Sequence, residues 1–127
     1  MRDAPLPHKI LRWFRPRARQ IGSWGFTLNR LTALGLTFYL GLHLIILSKL
    51  TQGQNAYDDF VMFARHPLIK ISEIILIAAV LFHGLNGIRL TLHALGMDIR
   101  IQTISLRIVL ALTILGSILF AIRLFGV

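Results

Sequence analysis

Three long apolar runs divide the chain, and short polar stretches separate them. The first run, Leu31–Ser48, contains eighteen residues without a charge. The second extends from about Pro67 to Leu92 and the third from about Ser105 to Leu124, with charges only near their ends. Because about 20 apolar residues cross the hydrocarbon core of a bilayer, the pattern predicts an all-α integral membrane protein with three transmembrane helices. The predicted helices cover about residues 23–50, 67–93 and 103–125.

The flanking segments complete the predicted organisation. Residues 1–22 carry six basic side chains and three prolines, and are predicted to be a cytoplasmic segment that lies at the lipid headgroups or is ordered by a partner subunit. Residues 23–127 are predicted to form the three-helix membrane anchor. The charges near the ends of the apolar runs, including Arg89, lie where long side chains can reach the interface by snorkelling.

Composition narrows the class of protein further. The chain is 55% hydrophobic and only 15% charged, which is typical of one small membrane domain rather than a soluble protein. It has no cysteine, and this excludes disulfides, thiolate metal sites, iron–sulfur ligation and covalent haem attachment through Cys. The net charge of +9 is concentrated near the N-terminus, so we interpret it as a topology signal rather than as a nucleic-acid contact.

The basic residues also predict an orientation. With the N-terminus in the cytoplasm, ten of the fourteen Lys and Arg residues fall on the cytoplasmic side and four on the other. The positive-inside rule therefore predicts a multi-pass protein of the cytoplasmic (inner) membrane, with a cytoplasmic N-terminus and an external C-terminus.

Two of the five histidines, His43 and His83, fall inside apolar runs. An imidazole at membrane depth needs a partner, which can be another helix, a proton path, a metal ion or a haem. Glu73 is the only carboxylate in a membrane segment and no further ligands lie near either histidine at helical spacing, so a proton relay and a bare metal site are disfavoured. Spacing alone leaves haem ligation and interhelical hydrogen bonding open.

The two histidines are predicted to lie at different depths. His43 is 13 residues beyond Arg30, about 20 Å, whereas His83 is six residues before Arg89, about 9 Å. If both bind haem, they belong to two haems, and each haem needs an imidazole from another chain. Asn29, Arg30 and Arg89 are positioned to meet haem propionates or a quinone head group, or to act as interfacial anchors.

The stretch from His83 to Arg89 also carries a resemblance. His83-Gly-Leu-Asn-Gly-Ile-Arg89 resembles the motif His-x-x-x-Gly-[Ile/Val]-Arg of the cytochrome b (C-type) anchor subunit of succinate dehydrogenase, or succinate:quinone oxidoreductase. Phe26-Thr-Leu-Asn-Arg30-Leu-Thr-Ala is similar to the family's Ser-x-x-His-Arg-x-[Ser/Thr]-Gly at the start of the first helix. His43 resembles the first-helix histidine of the variants with two haems.

The resemblance implies roles for individual residues. It implies that His83, and His43 for a second haem, are haem iron ligands. From their positions near the cytoplasmic interface, Asn29, Arg89 and His93 are predicted to lie at or near the propionates, and an acidic lipid head group or water is the alternative partner for His93. The resemblance also implies a quinone site that includes Ser23, Trp24, Thr27 and Arg30. The chain departs from the family's pattern at four positions, Phe26, Asn29, Ala33 and Leu90.

The function implied is that of a membrane anchor and cytochrome b subunit of succinate:quinone oxidoreductase. It would bind one or two haems b with a second anchor subunit and help to form the quinone site. It would also dock an iron–sulfur subunit and a flavoprotein subunit, which hold the iron–sulfur clusters and FAD. The chain alone would carry no complete active site and no nucleic-acid site. The alternatives are a haem-free membrane scaffold for a soluble partner and the anchor of a fumarate reductase.

Overall fold

The computed structural model describes residues 21–126, which form four α-helices and two short 3₁₀ helices and contain no strand. The α-helices are α1 (Ile21–Ser48), α2 (Gln54–Ala64), α3 (Pro67–Ala94) and α4 (Gln102–Phe125). The 3₁₀ helices, Lys49–Gln52 and Ile99–Ile101, follow α1 and precede α4. The predicted basic segment lies almost entirely outside the described residues.

Three of these segments are long and apolar enough to cross a membrane, namely Ser23–Gln52, Pro67–Ala94 and Ile99–Phe125. This confirms the predicted all-α fold with three transmembrane helices. The short helix α2 lies in the polar connection between the first two, where it carries Asp58 and Asp59.

Local sequence explains where the second and third membrane helices begin. Pro67 occupies the first turn of α3, where its missing N–H costs nothing. His66 acts as the N-cap, because its Nδ1 accepts a hydrogen bond from the N–H of Leu68 at 3.2 Å. Asp98 caps the 3₁₀ helix Ile99–Ile101, which opens the third membrane segment, by accepting from the N–H of Arg100 at 2.8 Å.

The helix α3 is the centre of the bundle and runs antiparallel to both of its neighbours. It packs most extensively against α4 and less extensively against α1. The buried apolar core is small and consists of Phe82, Leu106 and Val109. Farther along, α3 and α4 approach closely at Gly116, where an added Cβ would lie 2.7 Å from Cδ1 of Leu81.

Most apolar side chains of the three long helices point outward. Phe38 is 70% exposed and Ile75 is 65% exposed, although both lie inside membrane-spanning segments. Contiguous apolar surface of this extent requires lipid or other helices to cover it. The chain is therefore a multi-pass membrane protein whose own packing supplies only part of its stability.

The antiparallel arrangement brings particular helix ends together. At what we call the proximal end, α1 begins, α3 ends and α4 begins. At the distal end, Lys70 near the start of α3 donates through Nζ to the carbonyl oxygen of Leu124 at 3.3 Å. The polar side chains that concern function are concentrated at the proximal end.

Candidate functional site at the proximal end of the bundle

His83 connects α3 to α1. Its Nδ1 lies 3.1 Å from the carbonyl oxygen of Asn29 and 3.3 Å from Oγ1 of Thr32. The Thr32 hydroxyl has one proton, and carbonyl oxygens of its own helix lie 2.9 and 3.0 Å away, at Asn29 and Leu28. With its proton donated within α1, the hydroxyl faces His83 as an acceptor.

These contacts determine the tautomer of His83. A carbonyl oxygen can only accept a hydrogen bond, so Nδ1 must carry the proton and donate it. In the neutral ring the lone pair then lies on Nε2, which makes no hydrogen bond to the described residues. This is the tautomer that a histidine adopts when Nε2 binds a metal and Nδ1–H is oriented by a carbonyl group.

Asn86, one turn after His83, makes a second connection to α1. It is 0% exposed, its Nδ2 donates to the carbonyl oxygen of Gly25 at 3.1 Å, and its Oδ1 accepts from Nε of Arg89 at 2.9 Å. We call the set Gly25, Asn29, Thr32, His83 and Asn86 the polar seam.

Arg89 completes the arrangement by joining α3 to α4. Its Nη1 donates to the carbonyl oxygen of Gln102 at 3.1 Å, whereas Nη2 has no hydrogen-bond partner among the described residues. The side chain is only 2% exposed, so the prediction that Arg89 snorkels to the interface is wrong. Two neutral acceptors, Oδ1 of Asn86 and the carbonyl oxygen of Gln102, bind the guanidinium and hold it inside the bundle.

The surface beside His83 is open. His83 is half-buried, and its neighbours Gly84 and Gly87 have no atoms within 4 Å of the position that a Cβ would occupy. Because neither residue has a side chain, a flat group can approach the backbone of α3 at these positions, and Gly87 lies one turn after His83 on the same face of the helix.

His43 lies elsewhere on α1. It is 11 residues beyond Thr32, about 16 Å along the helix. Its Nδ1 is 3.4 Å from the hydroxyl of Tyr39, and the two rings are stacked with centroids 5.5 Å apart. A phenol hydroxyl can donate or accept, so this contact does not select one tautomer as the Asn29 carbonyl does for His83.

The other predicted propionate residues lie near the same end as His83. Nε2 of His93 is 3.2 Å from Oγ of Ser105, which links the end of α3 to α4. Asn29 contributes its main-chain carbonyl to His83, while its side-chain Oδ1 is buried without a hydrogen-bond partner among the described residues.

The predicted quinone residues lie on the first turns of α1. Trp24 and Thr27 line an apolar cleft of about 130 Å³ between α1, α3 and α4, and Phe82 and Leu106 form its opposite wall. The guanidinium of Arg30 lies over the ring of Phe26, 4.1 Å from its centroid. Ser23 is half-buried near the start of the helix.

The described residues contain no group of three or more His, Asp or Glu side chains that could hold a metal ion. A cofactor that needs one imidazole from this chain is compatible with that finding, because the nitrogen atoms of a haem ring supply most of the ligands of its iron.

Three residues of the polar seam were not assigned a role from the sequence, namely Gly25, Thr32 and Asn86. The sequence could have identified Asn86, because an amide in an otherwise apolar membrane segment requires a hydrogen-bond partner. Gly25 had no comparable signal, and Thr32 had only its match to the [Ser/Thr] of the first-helix motif, since their roles depend on which face of α1 meets α3.

The bundle and its polar seam define a multi-pass membrane anchor with a buried polar end. A family model described as succinate dehydrogenase/fumarate reductase transmembrane subunit matches residues 8–120. The chain belongs to this family, which confirms the resemblance to a succinate dehydrogenase membrane anchor.

Two relatives illustrate the similarity. The chain is 32% identical over 71 residues to the succinate dehydrogenase 2 membrane subunit SdhC of Mycobacterium tuberculosis, a match that covers 56% of this chain and 52% of the relative. It is also 32% identical over 93 residues to the succinate dehydrogenase hydrophobic membrane anchor subunit of Halobacterium salinarum, with 72% of each chain covered. The chain thus spans about half the length of the first relative and about three quarters of the second.

Proposed function

We propose that this chain is the C-type anchor and cytochrome b subunit of succinate:quinone oxidoreductase, and that His83 is a haem b ligand. The observation that carries the proposal is the hydrogen bond from His83 Nδ1 to the carbonyl oxygen of Asn29. It leaves the Nε2 lone pair free on a half-buried ring, in a segment where an imidazole without a function is costly.

The surroundings of His83 fit a haem. Gly84 and Gly87 leave open space on α3 close to His83 in sequence, and the neighbouring membrane-facing side chains are apolar. Asn29, Arg89 and His93 lie at the same end of the bundle and are proposed to be at or near the propionates. Arg89 is only 2% exposed, so its positive charge would act from inside the bundle rather than through direct contact. A bound haem b would accept and release one electron at a time.

A second imidazole for such a haem would have to come from another chain. His43 lies about 16 Å along α1 from the level of His83, and both ligands of one haem must lie at nearly the same level. We therefore propose that a second anchor subunit supplies the partner imidazole, and that His43 binds a second, distal haem with a further imidazole from that subunit.

We place the quinone site at the start of α1, with Ser23, Trp24, Thr27 and Arg30. The apolar cleft next to Trp24 and Thr27 is compatible with a hydrophobic quinone, and Arg30 supplies a donor for a quinone oxygen. Its guanidinium is oriented by the Phe26 ring.

The proximal end is proposed to face the cytoplasm, in the cytoplasmic membrane. Ten of the fourteen basic residues then lie on the cytoplasmic side. An iron–sulfur subunit and a flavoprotein subunit would dock there, and electrons from succinate would pass through their iron–sulfur clusters and FAD to quinone.

A redox difference spectrum of the purified complex, with pyridine haemochrome quantitation, tests the proposal. We expect protohaem at one or two per copy of this chain, together with co-purification of a second anchor, an iron–sulfur subunit and a flavoprotein. A complex that contains these subunits and no haem would overturn the haem assignment.

A haem-free membrane scaffold is the second candidate function. The same bonds from His83 and Asn86 to α1 favour it, because they are the interhelical hydrogen bonds that stabilise a membrane bundle without any cofactor. It predicts that replacement of His83 by another hydrogen-bond donor preserves function. A third candidate, the anchor of a fumarate reductase, is separated by measuring the preferred direction of catalysis in the intact complex.

A further inference from the structure

We infer that Asn86 is a positioning residue for His83. It holds α1 at the height and rotation at which the Asn29 carbonyl oxygen accepts the Nδ1 proton, and so maintains the His83 tautomer with a free Nε2. The link to haem rests on the proposed function, but the effect on the tautomer does not.

The first argument is the register of two hydrogen bonds. His83 donates to Asn29 and Asn86 donates to Gly25, at 3.1 Å in both cases. The donors are three residues apart on α3 and the acceptors are four residues apart on α1, so each pair occupies one helical turn. A shift or rotation of α1 along α3 lengthens both bonds together, and the Asn86 bond therefore opposes any movement that would release His83.

The second argument is that the Asn86 amide has only one acceptable orientation. Its Oδ1 accepts from Nε of Arg89 at 2.9 Å, while its Nδ2 faces the carbonyl oxygen of Gly25. A flipped amide would direct its N–H groups at a guanidinium N–H and its oxygen at a carbonyl oxygen. Because Asn86 is 0% exposed, water cannot satisfy either group after a flip, and the donor to Gly25 is fixed.

The third argument is that the contact requires glycine at position 25. A Cβ there would lie 3.0 Å from Cδ1 of Leu106 and 3.2 Å from Nη2 of Arg89. The missing side chain lets α3 and α4 approach the backbone of α1 and exposes the Gly25 carbonyl oxygen to Asn86. Gly25, one turn before Asn29, therefore permits the close approach of α3 and α4 to α1.

The test uses the full chain, labelled with ¹⁵N-histidine and reconstituted in phospholipid vesicles without haem, with solid-state NMR as the measurement. The His83 signals are assigned by their loss in His83→Asn. We expect the wild-type ring to be protonated at Nδ1 and unprotonated at Nε2. In Asn86→Leu, which removes both amide bonds, we expect a second population protonated at Nε2.

Asn86→Asp separates the two bonds of the amide. A carboxylate keeps an acceptor for Arg89 but has no proton for Gly25, so it must also produce the Nε2-protonated population. If Asn86→Leu changes the tautomer and Asn86→Asp does not, the Arg89 contact is responsible and the inference is wrong. Thr91→Val is the matched control, because this exposed hydroxyl bonds only to the carbonyl oxygen of Gly87 in its own helix, at 3.0 Å.

A purely structural role for Asn86 predicts a different result. The melting temperature would fall while the His83 signals remained those of the wild type, and that outcome also overturns the inference. In the haem-loaded complex, loss of the Nδ1–H bond makes the imidazole a weaker electron donor, so the midpoint potential rises in Asn86→Leu. Absence of haem in the wild-type complex would reject the proposed function alone, because the tautomer is measured without haem.

Discussion

His83 donates its Nδ1 proton to the main-chain carbonyl oxygen of Asn29, 3.1 Å away on the neighbouring helix. This one bond satisfies a polar ring at membrane depth and also selects the ring nitrogen that stays free. The haem-ligand hypothesis and the interhelical-bond hypothesis both require the bond. They differ in what the free Nε2 does, and substitutions of His83 can separate them.

We expect His83→Asn to fold nearly as well as the wild type but to lose its haem. An asparagine amide can still donate to the Asn29 carbonyl oxygen, so the cost in stability should be about 1 kcal/mol or less, whereas it cannot replace imidazole as a haem iron ligand. Haemochrome quantitation and thermal unfolding of the same purified complex measure the two effects.

His66→Asn is the matched histidine control for this experiment. His66 is exposed and caps α3 through its side chain, and asparagine is also a good N-cap. The haem content of the His66→Asn complex should equal that of the wild type. Full haem content in His83→Asn would instead exclude His83 as a haem ligand.

His43→Ala tests the distal haem separately. If His43 binds a second haem, the substitution should lower the haem content from two per complex to one and leave the spectrum of the His83 haem unchanged. The two sites are about 16 Å apart along α1, so direct interference between them is not expected. Unchanged haem stoichiometry would exclude His43 as a ligand and retain the single-haem proposal.

Arg30→Met should weaken quinone binding without affecting the soluble dehydrogenase. Loss of a charged hydrogen bond of about 1.5–3 kcal/mol corresponds to a rise in the quinone KM of about 10- to 100-fold. Reduction of an artificial dye by succinate bypasses the membrane site and should be unchanged. Arg30→Lys, which keeps the charge but not the planar guanidinium over Phe26, should have an intermediate KM. An unchanged KM in both variants would remove Arg30 from the quinone site.

The sequence predicts the membrane helices well because the bilayer imposes a length and a composition on each of them. The same reasoning places His83 in the apolar run that forms α3. It cannot predict the polar seam, because the pairing of Asn86 with Gly25 depends on how α1 is rotated against α3. The burial of Arg89 could not be predicted for the same reason, because it depends on acceptors on Asn86 and Gln102 that only the packing of the helices brings together.

Gly25→Ala tests the close approach at the proximal end. The new Cβ would lie 3.0 Å from Leu106 and 3.2 Å from Arg89, so neighbouring groups must move, and we expect a loss of about 1–3 kcal/mol in the free energy of unfolding. Gly41→Ala is the control, because its Cβ would meet no atom within 4 Å and alanine favours the helix. Denaturation of both variants in detergent, followed by circular dichroism, gives the comparison. Equal stability would show that α1 can move away from α3 at no cost.

Gly116→Ala tests the corresponding approach between α3 and α4. Its Cβ would lie 2.7 Å from Cδ1 of Leu81, but the contact is with the end of a flexible side chain, so we expect a loss of only about 1 kcal/mol. The contact predicts coupling between the two positions, because shortening Leu81 creates the space that the new methyl group fills. A double-mutant cycle of Gly116→Ala with Leu81→Ala should therefore give an interaction energy of about 0.5–3 kcal/mol in the stabilising direction. Strict additivity would mean that the helices separate locally rather than repack.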